Sequence, residues 1–562
     1  MEVESMKSLL FILLSGFFLL LGSTTAAKTT TFSEEGPSYD YSASIECKSA
    51  PDGPLYNGGV IKNLTLGTRG CRHFKIAMNS PAFTLSNLTG DTIYAFSSWV
   101  KISGANSASI KATLTTDNTT FVCVGTVIAR SGCWSFLKGG FSLDSPSNYA
   151  LISFQNLDDF QMNASVSSAS LQPFTYQQWN ANQQNMITTE RKRAAILHVS
   201  DIDGKRLQGA SVIVEQISRD FPFGSAIAET ILGNFPYQNW FVERFNAAVF
   251  ENELKWAATE PRQGEVNYTI PNQMLEFTRR HQITVRGHNI FWEDPKYTPP
   301  WVRTLPTPEL KSAVSSRIQS LVSNYKNEFV HWDVNNEMLH WDFYEQRLGP
   351  NASLDFFLTV QGSDPLAHLF MNDFNVLETC DDMKSMVDHY VSRLQELGAA
   401  GVVMDGIGLE GHFSAPNPAL IRAVLDKLAL LNLPIWLTEV DISKKFDQEI
   451  QAKYLEVVLR EGFSHPSVNG IMLWSALHPN GCYQMCLTDN TLKNLPAGDV
   501  VDALLKEWRT SGIKGKSDDH GTFDFVGFLG QYHVTVSYGN RTAHTTLSLS
   551  RGDETKHQNI QL

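Results

Sequence analysis

Beyond its first residues, this 562-residue chain has no apolar run long enough to cross a membrane. A spanning helix takes about 20 apolar residues, and no run after the N-terminus reaches that length. Positive charge is also short: 45 Lys and Arg stand against 58 Asp and Glu, a formal net charge of −13. That balance argues against nucleic acid and anionic membrane as partners. No nucleotide, phosphate or metal motif is found, so no cofactor is implied. Cysteine is scarce, with seven in all. Cys482-x3-Cys486 has no matching His/Cys pair to complete a metal site, so a local disulfide is the better reading. Between residues 45 and 174 there is no helix-period segment and no catalytic carboxylate pair.

What is present describes an ordinary folded protein, 42 % hydrophobic and 18 % charged, of a length that suggests two to four domains. Lys7, the apolar run from Ser8 to Leu21 and the small residues up to Ala27 read as a secretory leader cut near Ala26 or Ala27. Asn63, Asn87, Asn118, Asn163, Asn267, Asn351 and Asn540 each head an N-x-Ser/Thr acceptor. Cys47, Cys71, Cys123 and Cys133 lie in the N-terminal region and would suit two disulfides there, with the pairing open and an odd thiol left over. The expectation is a secreted protein of the cell wall, monomeric, with no membrane partner.

Two stretches share one form. Phe329 to Glu337 is an apolar strand ending on Asn336-Glu337, and Pro434 to Asp441 is another, carrying Glu439 near its end. Burying a carboxyl at a strand end is costly without a task or a partner. Two glutamates at the ends of two barrel strands are what glycoside hydrolysis needs. The plain alternative is two glutamates in structural salt bridges.

Along the chain, residues 28–44 are Thr- and Ser-rich and read as loose. The region 45–175 holds β-branched and aromatic runs broken by Gly, Asn, Asp and Pro, which predicts a β-sandwich. Its Trp99, Trp134, Phe136 and Tyr149 are either core or faces on which sugars could stack. Residues 176–219 read as a polar linker or short helix, ending in the basic run Arg191 to Arg193, then two strands within 194–216. From 220 to 510, eight strand candidates alternate with helical patterns such as Met383 to Leu397, which predicts a (β/α)8 TIM barrel, an α/β fold. Residues 511–562 form further strands, expected to pack with those at 194–216.

With the strand ends laid out, the chain resembles the family-10 glycoside hydrolases, retaining β-1,4-xylanases, over roughly 220–510. Phe250-Glu251-Asn252-x-x-Lys255-Trp256, Arg286-Gly-His288 with Trp292, and Trp332-Asp-Val-Asn-Asn336-Glu337 match its motifs in order. Asn372-Asp-Phe-Asn375, Gly406-x-Gly408-x-Glu410-x-His412, Thr438-Glu439-Val-Asp441 and Trp474 follow. The N-terminal region resembles family-22 carbohydrate-binding modules, although the acidic sugar contact of that family falls here on Gln155.

The resemblance implies the roles. Glu337 would be the acid/base and Glu439 the nucleophile, with carboxyls about 5–5.5 Å apart. His412 would hold the nucleophile, oriented by Asp441, and Asn336 would bind the sugar 2-hydroxyl. Glu251, Asn252, Lys255 and His288 would bind glycone hydroxyls, with Trp292 and Trp474 as walls. Three departures stand out. Glu410 replaces a usual Gln, and Glu293 a usual His. Beyond Trp474, His478 replaces an aspartate, and Tyr483 is the candidate for a missing second tryptophan. The implied function is a retaining endo-1,4-β-xylanase acting on xylan or xylo-oligosaccharides. The alternatives are a xylan endotransglycosylase and a non-catalytic carbohydrate-binding wall protein.

Overall fold

The computed structural model describes residues 36–61, 73–76, 78, 81–117, 122–158, 160–552 and 554–562. The leader, Cys71, Asn63 and Asn118 lie outside these residues.

All eight barrel candidates are strands: Phe223–Ile227 (β1), Ala247–Phe250 (β2), Thr284–Arg286 (β3), Trp332–Asp333 (β4), Leu369–Asp373 (β5), Gly406–Leu409 (β6), Ile435–Ile442 (β7) and Val468–Leu473 (β8). They pair in parallel in the order β3-β2-β1-β8-β7-β6-β5-β4. Parallel strands are covered on both faces and so read as apolar runs, not alternations; β7 is buried along its whole length. The ring closes between β3 and β4, where Gly287 N–H donates to His331 O at 2.9 Å and accepts from Asp333 N–H at 3.0 Å. A Cβ on Gly287 would sit 2.4 Å from the Trp332 ring, so the closure needs glycine. The helical patterns become Thr307–Asn324, Val387–Ala399, Pro418–Ala429, Gln448–Ser464 and Pro496–Glu507. The Asn417 and Asp447 side chains accept the first free N–H groups of two of them.

The N-terminal region is a sandwich of two four-stranded sheets with its own apolar core. Trp99, Trp134 and Phe136 are buried, while Tyr149 is 49 % exposed. Three of the four aromatic candidates are therefore packing residues. A second, smaller sandwich joins the chain's two ends of the barrel. Ser211–Arg219 pairs with Gly530–Tyr538 and Ile513–Lys516, and Lys192–Ser200 pairs with Thr522–Phe528 and Lys556–Gln561.

Four expectations need correction. Residues 176–191 are a full α-helix, not a linker, opened by a Thr175/Gln178 capping box and burying Trp179, Gln183, Ile187 and Arg191. Arg191 is not a solvated connector charge. It donates to the carbonyls of Phe463, His465 and Val468 at 2.9, 2.8 and 2.7 Å, at the end of helix Gln448–Ser464, where carbonyls lack helical partners. The described end of the loose segment is docked, since the buried Tyr39 donates its hydroxyl to Asp426 at 2.8 Å. Only one disulfide among the described residues lies within the N-terminal sandwich, Cys47–Cys133. Cys123 instead bonds Cys380 in the loop after β5, tying that sandwich to the barrel. A disulfide follows spatial proximity, which sequence order does not reveal. Cys482–Cys486 is the local bridge. No helix among the described residues is long and apolar enough to cross a membrane.

Candidate active site

The C-terminal ends of the barrel strands converge on one cleft, the face where such barrels carry chemistry. Its floor is a buried charge chain. Arg286 on β3 donates to Asp333 on β4 at 2.8 and 2.7 Å, and to His331 at 2.7 Å. Burial and the neighbouring Arg286 push His331 well below the usual histidine range, so it is the neutral acceptor. His288 Nδ1 lies 2.8 Å from Asp333 and 3.8 Å from Glu439. Buried charges persist only when paired in this way. Arg286, Asp333 and His331 had no assigned role in the sequence; polar residues inside an apolar strand were the signal.

Glu439 near the end of β7 is surrounded by basic side chains. His412 Nε2 stands 3.4 Å from it, with Nδ1 3.0 Å from Asp441. Burial works to raise the Glu439 carboxyl, but His288, His412 and Lys255 outweigh it and bring it down to about 2. Asp441 opposes the effect of burial on His412, which ends well above the usual histidine range.

Glu337 has the opposite setting. Burial, joined by the charges of Asp373 and Glu439, raises it to about 8 against the lowering effect of the Trp292 indole. Its backbone is left-handed, φ 59°, a conformation that costs about 1–3 kcal/mol for such a residue. A bond from its N–H to Asn372 O at 3.0 Å holds it there. Below it, His340 lies between Asp373 at 2.5 Å and Asp382 at 3.0 Å. Asp373 also accepts the Leu339 N–H at 2.8 Å, so it anchors the segment that follows Glu337. Neither His340 nor Asp373 was singled out beforehand.

Asn372 links both halves. Its amide donates to Asn336 at 2.9 Å, Glu439 at 3.0 Å and Glu410 at 3.2 Å, while its oxygen accepts the Thr438 hydroxyl at 2.5 Å. It too went unassigned. Of the remaining candidates, Lys255 Nζ sits over Trp292 at 4.5 Å and Trp474 at 5.6 Å, and donates to Asn252 at 3.1 Å. Glu251 bonds Asn252 at 3.1 Å and His478 at 2.6 Å. His478, in place of an aspartate, thus holds an acidic partner. Tyr483 is exposed beside His412, ring centres 5.8 Å apart, within the Cys482–Cys486 loop.

Glu410 is a third carboxyl in the cleft, its Oε2 3.5 Å from His412. Burial and then the charges of Glu439 and Glu337 push it well above the usual carboxylate range. It therefore keeps its proton at neutral pH and is a neutral group of glutamine shape. Glu410→Gln is expected to leave kcat/KM at pH 6 within about threefold of the parent. A loss of about a hundredfold would mean that Glu410 works as an ion. Glu410, His412 and Glu439 are also close enough to hold a cation, but a metal there would occupy Glu439.

Glu293 does not enter the cleft. Fully buried, it accepts from the Asn335 amide at 2.6 Å and the Tyr344 N–H at 3.0 Å. Burial and the adjacent Glu345 push it well above the usual range. Glu345 Oε2 is buried with no donor in reach, so the Glu293 proton is its natural partner. The folded chain thus keeps a proton that the unfolded chain gives up near 4.5, and stability falls as pH rises above that value. Glu345→Gln places an N–H₂ where the orphaned oxygen lies and removes one negative charge. Thermal unfolding should then match the parent at pH 4 and move up at pH 8, by on the order of 1 kcal/mol. A drop at pH 8 would contradict the pairing.

A (β/α)8 barrel with a protonated and an ionised glutamate in one cleft is the arrangement that two-carboxylate glycoside hydrolysis uses. The chain belongs to glycosyl hydrolase family 10, whose sequence profile matches residues 213–494. It is similar to endo-1,4-beta-xylanase 5 of Arabidopsis thaliana, 37 % identical over 79 % of this chain and 79 % of that one. It is also similar to endo-1,4-beta-xylanase 4 of the same organism, 34 % identical over 93 % of this chain and 94 % of that one. Among solved structures, xylanase 10B from Thermotoga petrophila RKU-1, in complex with xylobiose, is 23 % identical with a TM-score of 0.46. It covers 51 % of this chain and 94 % of that one.

Proposed function

We propose that this glycoside hydrolase is a retaining endo-1,4-β-xylanase that cuts internal bonds of plant cell-wall xylan. The single observation that carries the reading is the split between two glutamates in one cleft, Glu337 raised to about 8 and Glu439 lowered to about 2. At neutral pH Glu337 holds the proton that the leaving oxygen needs, and Glu439 is ionised to attack the anomeric carbon. Attack forms a glycosyl-enzyme. Glu337, now a carboxylate, takes a proton from the incoming water, which restores both residues and retains the configuration. His412 and His288 hold the nucleophile's charge, and Asn336, fixed by Asn372, faces the 2-hydroxyl as the ring flattens. The xylan specificity rests on the family and on the xylanase names of the relatives.

The reading extends to a secreted wall enzyme acting as a monomer. Three disulfides suit an oxidising compartment, and Asn87, Asn163, Asn267, Asn351 and Asn540 are all exposed. A carbohydrate-binding role for the N-terminal sandwich would fall to Tyr149, the one aromatic candidate left open. The test is product analysis of purified protein on plain xylan, glucuronoarabino-decorated xylan and an unrelated β-1,4-glucan. Short xylo-oligosaccharides of retained anomeric configuration are expected. Cleavage of the glucan alone, inverted products or no cleavage by folded protein would each defeat the proposal, and longer products on adding acceptor oligosaccharides would favour transglycosylation.

A further inference from the structure

A cavity of about 150 Å³ lies at the N-terminal end of the barrel, opposite the catalytic carboxyls, in the seam with the small sandwich. Phe223 opens β1 and Asn469 lies at the start of β8, so both mark that end. Three features distinguish it from a packing gap.

The first is uncompensated charge. Arg191, Arg219 and Arg551 line the cavity against one carboxylate, Asp220. Their recorded hydrogen bonds all go to backbone carbonyls: Arg191 to Phe463, His465 and Val468, Arg219 to Arg244, and Arg551 to Pro466. A carbonyl oxygen orients a guanidinium without neutralising it, and a planar fork of donors suits a carboxylate. Burial, with Arg551 adding to it, lowers Arg191 to about 9, and the opposing charges of Glu190 and Asp220 do not offset this.

The second is a set of flat apolar walls. Phe463 and Trp508 stack against each other at 3.9 Å and 14°, Phe221 meets Phe463 edge-on at 5.0 Å, and the Arg191 guanidinium lies 4.7 Å from the Phe221 ring centre, so a guest ring would meet the uncovered faces and edges. A cavity of this volume has room for a benzene ring. The third is an orphan: the Trp508 indole N–H is buried with no acceptor, and buried donors are ordinarily paired.

We propose that this cavity binds a small aromatic carboxylate, one benzene ring bearing one carboxylate. The ring lies against Phe221, Phe463 and Trp508, and the carboxylate meets Arg219 and Arg551. The site is separate from the cleft and does not depend on which polysaccharide the enzyme cuts.

The test titrates the full-length protein with benzoate, benzamide and acetate, by calorimetry and tryptophan fluorescence. Benzoate should bind with a Kd of about 1 mM or tighter. Benzamide, which keeps the ring without the charge, and acetate, which keeps the charge without the ring, should each bind at least about tenfold more weakly. Arg219→Ala or Arg551→Ala should weaken benzoate at least about tenfold, with unfolding temperature and circular dichroism unchanged. No benzoate binding up to about 20 mM would overturn the proposal, as would equal affinity for benzamide or acetate. So would unchanged affinity in both folded arginine variants.

Discussion

Replacing Glu439 with alanine is expected to lower the turnover of xylan by on the order of 10⁴-fold or more, while xylo-oligosaccharides still bind. In the proposed mechanism the loss follows from the bond that the carboxylate forms: without it no glycosyl-enzyme arises, and no other group is assigned to take its place. Glu410 stands nearby but holds its proton, pushed up by burial and by the charges of Glu439 and Glu337. Binding should survive because the groups proposed to contact the sugar sit on other strands, with Asn336 bonded to Asn372 and Lys255 to Asn252. The alanine also leaves His288, His412 and Lys255 around a small empty space, a ready anion site. Added azide should therefore restore part of the rate on an activated aryl xyloside, with an α-glycosyl azide as product. Calorimetry with xylo-oligosaccharide and product analysis with azide check the two halves. A variant with near-normal turnover would remove Glu439 from the mechanism.

The second large effect concerns Glu337. With Glu337 as the proposed acid, which must be protonated, activity is expected to fall as pH rises through about 8, where burial and then the charges of Asp373 and Glu439 have moved this carboxyl. With Glu439 as the proposed nucleophile, which must be ionised, activity is expected to fall at the other end only as pH drops towards about 2. The profile of kcat/KM reports these groups in the free enzyme and should be a broad plateau with an alkaline limb near 8. Glu337→Ala should lower turnover of xylan by about 10²–10⁴-fold and abolish that limb. An aryl xyloside whose phenolate leaves unaided should keep a fast first step and accumulate the glycosyl-enzyme. An alanine variant that loses its activity yet keeps the alkaline limb would assign the acid to another residue.

Much of the barrel was legible because its physics is local. Strands covered on both faces must be short apolar runs, and the helices between them must show one apolar face; both patterns survive in the bare chain at Pro434–Asp441 and at Met383–Leu397. Glu337 and Glu439 stood out for a related reason, since a carboxyl at the end of such a run has no cheap place to go. Helix 176–191 was left open between linker and short helix because its exposed faces are polar and its few buried residues, Trp179, Gln183, Ile187 and Arg191, are spaced too thinly to decide. The Cys123–Cys380 bridge joins residues 257 positions apart, and nothing local marks such a pair.

Sequence alone determined the alternation that makes a barrel, the strand ends that carry Glu337, Glu439, His412 and Trp474, and the polar residues set into apolar strands. Only the tertiary structure decided what each charged group does. Glu293 turns away from the cleft to share its proton with Glu345, whereas Glu410 points into it. Arg191 caps a helix end instead of meeting water, and one glutamate of the pair is raised while the other is lowered. Backbone pattern depends on neighbours a few residues away, but the charge state of a side chain depends on what the whole fold brings within a few ångströms.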